Sequence, residues 1–105
     1  MKIYMTSRND RYYAVAEYDV STKRTVLLKG SRVSTDIAYS KTFRGTKKIE
    51  KLRSLYVQDL ILKEDIVFNS SSTAAVFVSG RSMNGLYIWR DANGNKLSRY
   101  YITDW

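Results

Sequence analysis

Ser70-Ser71-Ser72-Thr73-Ala74-Ala75-Val76-Phe77-Val78-Ser79-Gly80 reads as one helix with both ends specified. A hydroxyl at Ser70 or Ser71 can accept from an otherwise orphan first-turn N–H. Ala74, Ala75, Phe77 and Val78 give the segment an apolar body, and Gly80 stands where a left-handed residue closes a helix. The helix is therefore expected at about 71–79. Downstream, Asn84-Gly85 is a turn signal. Leu86–Arg90 and Lys96–Tyr101 flank Asp91-Ala92-Asn93-Gly94-Asn95, a pattern that predicts a C-terminal hairpin. Upstream, Leu60-Ile61-Leu62 and Asp65-Ile66-Val67-Phe68 read as short strands. Ile49, Leu52 and Tyr56 share one face of a second helix, at about 46–56.

The first third of the chain alternates as strands do. Lys2, Tyr4 and Thr6 oppose Ile3 and Met5, and polar turns at 7–10 and 19–23 bound a segment from Arg11 to Tyr18. Thr25–Lys29 is a further strand, closed by Gly30-Ser31, and residues 31–45 read as a polar loop or irregular edge. The fold class expected is α+β: an antiparallel sheet with two helices, 46–56 and 71–79, packed on it and a hairpin at the C-terminus. No repeat or linker divides the chain, so one domain over 1–105 is expected.

The 105 residues include no His, no Cys and no Pro, but 14 aromatic side chains. The missing types exclude His-based nucleophile systems, zinc fingers and disulfide frameworks. The longest apolar run, Ala74–Val78, is far short of the ~20 residues of a membrane span, and the first residues have no leader-like apolar stretch. A cytoplasmic protein is expected.

The net charge of +8 is unevenly distributed. Residues 23–53 hold ten cations and two anions, while the other 74 residues hold eight of each. A segment that carries the entire excess is the electrostatic footprint expected for a polyanion, because each neutralised phosphate releases condensed counterions. It is equally what a solvated, solubilising face looks like. Arg44, Lys47 and Lys51 project from the side of the 46–56 helix opposite Ile49 and Leu52. Lys47 and Lys48 fall in its first turn, where the macrodipole disfavours cations.

Three sets of residues resemble a family. Val26-Leu27-Leu28-Lys29-Gly30-Ser31-Arg32 matches a V-L-K-G-S-like strand end, and a helical stretch containing Arg follows around Leu52-Arg53. Phe68-Asn69-Ser70-Ser71-Ser72-Thr73-Ala74-Ala75, Gly80-Arg81-Ser82-Met83-Asn84-Gly85 and Trp89-Arg90 match F-x-S-P-S-x-A-A, G-R-S-x-N-G and W-[KR]. From about residue 25 to 98 the chain thus resembles a bacterial domain of unknown function that often follows GIY-YIG nuclease modules in restriction-associated proteins. Ser71 replaces the usual Pro, and Leu86 stands where an aromatic is common. The resemblance implies an α+β unit from DNA-processing contexts and supplies no activity.

Other motifs are weaker. Gly30-Ser31-Arg32 and Gly45-Thr46-Lys47-Lys48 lack the spacing of a phosphate-binding P-loop. Ser70-Ser71-Ser72 has no His to serve as base, and capping suits it better. Glu64-Asp65 lacks the further convergent carboxylates a Mg²⁺ site needs, and reads as a turn.

These observations lead to a non-enzymatic nucleic-acid-binding domain with no catalytic residue, metal or cofactor. Phosphate contacts are expected from Lys29, Arg32, Arg44, Lys47, Lys48 and Lys51, with Arg81 and Arg90 as secondary candidates. Tyr87 and Trp89 are candidates for base stacking, although Trp89 equally suits a core anchor. Of the pairs Tyr12-Tyr13 and Tyr100-Tyr101, one member each should face solvent. DNA is favoured over RNA by the resemblance. The alternative is an interaction module or small inhibitor that presents its basic face to an acidic protein in phage–host defence.

Overall fold

The computed structural model describes residues 1–9, 11–35, 37 and 46–101. Three strands open the chain: β1 (Lys2–Thr6), β2 (Tyr13–Tyr18) and β3 (Thr25–Leu27). They alternate as the sequence requires, with Ile3, Met5, Ala14, Ala16 and Leu27 buried on one face. β6 (Ile66–Phe68) pairs antiparallel with β3 and completes a four-stranded sheet in the order β1-β2-β3-β6.

Between β3 and β6 the chain forms α1 (Thr46–Tyr56) and a small hairpin, β4 (Val57–Gln58) with β5 (Ile61–Leu62). Asp59 and Leu60 turn this hairpin with φ of 52° and 68°, both left-handed, as a type I′ connection demands. The segment after β3 stitches the hairpin to the main sheet. Gly30 and Val33 donate their N–H groups to Leu62 O and Leu60 O, and Arg32 exchanges two backbone bonds with Tyr13.

α2 (Ser71–Ser79) lies across β2, β3 and β6 and buries Ala74, Ala75, Phe77 and Val78 against the sheet. Both expected signals act at its ends. Ser70, in extended conformation, accepts from Thr73 N–H at 3.1 Å, and Gly80 closes the helix at φ 70° with its N–H on Val76 O. The two expected helices and the antiparallel sheet are therefore present.

The C-terminal hairpin is not. Its first arm is a short helix, α3 (Gly85–Ile88), and its second a 3-10 helix (Leu97–Tyr101), with a single bridge between Arg90 and Lys96. Tertiary packing overrides the strand-like sequence. Asn84 Oδ1 accepts from Leu86 N–H at 3.0 Å and caps α3, so the Asn-Gly pair starts a helix instead of turning a hairpin. Gly85 donates its N–H to Ser72 Oγ and lies so close to α2 that a Cβ would meet Ser71 at 2.4 Å. The helical turn then carries Trp89 under the start of α2, where it is fully buried and donates Nε1–H to Ser71 O at 2.9 Å. Each residue of the Ser70-Ser71-Ser72 run thus has a structural partner. No helix among the described residues is long and apolar enough to cross a membrane.

Candidate nucleic-acid interface

α1 separates its residues by polarity. Ile49 is buried and Leu52 and Tyr56 half-buried, while Lys47, Lys48 and Lys51 are exposed. No acidic residue occupies the first turn. The helix N-terminus, which favours anions, instead presents two lysines, and none of the three lysines pairs with a described carboxylate. Arg44, the other cation expected on this face, lies outside the described residues.

Arg53 belongs to the same basic segment but turns inward. Its guanidinium donates to Phe77 O, Val78 O, Ser34 O and Ser34 Oγ at 2.8–3.2 Å, with the Phe77 ring 5.9 Å away. It thereby caps the carbonyl end of α2, where a cation is favoured. Burial holds its pKa down to about 10, so it remains charged at neutral pH. The Leu52-Arg53 stretch therefore has a packing role. A sequence signal for this exists: Arg53 stands four residues after Ile49, on the apolar side of the helix.

Lys29 and Arg32 flank the seam between sheet and hairpin, and both are exposed. The Lys29 N–H donates to Asp65 Oδ1 at 2.7 Å, which gives Asp65 a bracing role in its turn. Arg32 lies directly opposite Tyr13, and Arg90 directly opposite Tyr4. Opposed residues of antiparallel segments point the same way. Each arginine therefore stands beside a tyrosine on the sheet face turned away from Ile3 and Met5. Tyr13 is 50% exposed there and Tyr12 is buried, as alternation requires. Tyr100 is exposed and Tyr101 half-buried.

The remaining candidates divide. Arg90 donates Nη1–H to Gly94 O at 3.1 Å, so its guanidinium is partly engaged in the 91–95 turn. Tyr87 is 57% exposed with Lys96 Nζ 5.8 Å from its ring centre, and stays accessible for stacking. Trp89 does not: buried completely and bonded through Nε1, it is a core anchor, which corrects its candidacy as a stacking residue. Arg81 emerges from the left-handed turn after α2 and shares a pocket with Arg8 and Arg11, two residues the sequence did not single out. The structure thus unites Lys47, Lys48 and Lys51, pairs Arg32 and Arg90 with tyrosines, and sets Arg81 in a separate cationic group.

A family model described as Domain of unknown function (DUF4357) matches residues 5–101, which takes in the end of β1 and all of β2 as well as the stretch from Thr25 onward. No curated protein and no solved structure matches the chain.

Proposed function

Since the chain belongs to the DUF4357 family, whose description names no activity, we propose from its surface that it is a non-enzymatic nucleic-acid-binding accessory domain of a bacterium, phage or mobile element. The observation that carries the reading is the outward face of α1, where Lys47, Lys48 and Lys51 stand exposed without a described acidic partner. Lysines so placed act as mobile point charges on backbone phosphate, and counterion release supplies the affinity. Lys29 and Arg32 extend the contact, and Tyr13 beside Arg32 offers a stacking surface to an unpaired base. Arg81 and Arg90 are secondary contacts. The resemblance to domains that follow GIY-YIG nuclease modules in restriction-associated proteins favours DNA, with the domain working as a binding unit beside a separate catalyst.

Fluorescence anisotropy with labelled duplex and single-stranded oligonucleotides tests this. Binding at low salt that weakens steeply as salt rises is expected. No binding to any oligonucleotide at low salt overturns the reading.

One observation favours the alternative, an adaptor that docks on an acidic protein. A groove of about 510 Å³ between α1, β6 and α2 is walled by Ile49, Leu52, Val67 and Val76, with Lys48 in its lining. An apolar anchor flanked by a carboxylate would suit it. Binding partners that survive nuclease digestion of the sample favour this reading; their complete loss counts against it.

A further inference from the structure

We propose that a second, separate site binds an organic phosphate monoester, in the pocket that Arg8, Arg11 and Arg81 share. Three loops meet there: the β1–β2 connection, residues 34–35, and the chain leaving α2. Together they enclose about 410 Å³. That is more room than a bare phosphate needs and lies within the range of small-molecule sites, about 300–1,000 Å³.

The charges are arranged for an anion. None of the three guanidiniums makes a hydrogen bond or ion pair with a described residue, and no described carboxylate lines the pocket. The backbones of Arg11 and Arg81 are nonetheless anchored. Ser7 Oγ accepts from Arg11 N–H at 2.6 Å, Ser79 Oγ accepts from Arg81 N–H at 3.2 Å, and Ser34 Oγ donates to Ser79 O at 2.7 Å. Fixed loops carrying uncommitted side chains lower the ordering cost of taking up a ligand.

Among the described residues, the feature that should repel an anion is the carbonyl end of α2, equivalent to roughly half a negative charge. Arg53 removes it. Its guanidinium, which is not itself in the pocket lining, bonds to Phe77 O, Val78 O and the O of Ser34, and Ser34 and Ser79 line the pocket. The charged side chains among the described lining residues are then the arginines.

The ligand class follows from the lining. Each guanidinium presents five donors in a planar fork suited to two oxygens at once. Three forks match the terminal oxygens of a dianionic phosphate better than the two free oxygens of a diester, whose chain must also enter and leave. Tyr12 and Met83 give the pocket an apolar side for the organic remainder. The monoester has two sources, a free nucleotide or sugar phosphate and the phosphorylated end of a strand. The site does not depend on the α1 interface, and its test needs no strand, so the two fail separately.

Titration of the isotopically labelled full chain with uridine 5′-monophosphate, uridine and sulfate, followed by amide NMR, tests the site. The monophosphate should shift the amides of Arg8, Arg11, Thr35 and Arg81 saturably, and uridine should leave them in place. Arg11→Ala and Arg81→Ala should each weaken binding about tenfold or more while the rest of the spectrum stays unchanged. Uridine or sulfate binding as well as the monophosphate, or variants that titrate like the wild type, would overturn the proposal. Oligonucleotides with a 5′-phosphate or a 5′-hydroxyl then separate the sources. Tighter binding of the phosphorylated strand than of the mononucleotide identifies a strand end, and no gain identifies the free monoester.

Discussion

Arg53 is the residue on which charge and packing meet. It makes five hydrogen bonds to Ser34, Phe77 and Val78, and truncation would remove all five from the carbonyl end of α2, where Val78 O keeps its bond from Ser34 N–H. Hydrogen bonds to charged groups contribute about 1.5–3 kcal/mol, so Arg53→Ala should destabilise the fold by about 2–3 kcal/mol, with Arg53→Lys recovering part of it. Urea denaturation checks this, and a midpoint equal to the wild type's would contradict the capping role. Asp91 makes a pH-dependent prediction. The Tyr100 hydroxyl at 2.6 Å, followed by the N–H groups of Asn95 and Asn93, holds its carboxyl below the usual carboxylate range. A folded pKa below the unfolded value stabilises fully above about pH 4 and less as pH falls through the folded value. Asp91→Asn should therefore lower the Tm at neutral pH, and the difference should close in strong acid. A difference that stays constant from neutral pH down to about pH 2 would contradict it.

The elements differ in how far the sequence alone specifies them, and the reason is how local their determinants are. α2 is legible because its cap, body and left-handed stop lie within eleven consecutive residues, Ser70 to Gly80. β1 and β2 are legible because alternation is intrinsic to a half-buried strand. The inward turn of Arg53 is readable only as a cation at a helical apolar position, since its partners Ser34 and Phe77 are 19 and 24 residues away. α3 reads as a strand because Leu86 to Trp89 has strand-like composition, whereas its conformation is set by Ser71 and Ser72 on another helix. That dependence is testable. Gly85→Ala places a methyl where the Ser71 backbone stands and should destabilise by about 1–3 kcal/mol, the range for overpacking. Thermal unfolding of the variant checks it; a Tm equal to the wild type's would mean that α3 does not dock as described.

At the scale of the molecule, a basic stretch contiguous in sequence is not one contiguous surface. Of its described cations, Lys47, Lys48 and Lys51 occupy one helix face, Lys29 and Arg32 the seam with the hairpin, while Arg53, half-buried, turns inward onto the end of α2. Arg81 joins Arg8 and Arg11 in a pocket assembled from loops distant in sequence, and nothing in their spacing announces it. The proposed interface therefore rests on α1, whose lysines contribute nothing to the core and can be neutralised without loss of packing. Removing cations from its first turn should leave stability unchanged or raise it by a few tenths of a kcal/mol. The most direct measurement is the salt dependence of oligonucleotide affinity for the wild type and for K47Q/K48Q/K51Q, with unfolding midpoints taken in parallel. The triple variant should bind more weakly, with a log–log salt slope shallower by about 2–3, at about 0.7–0.9 for each phosphate it no longer neutralises, and with its midpoint preserved. Coincident slopes and affinities for the two proteins would contradict an interface on α1.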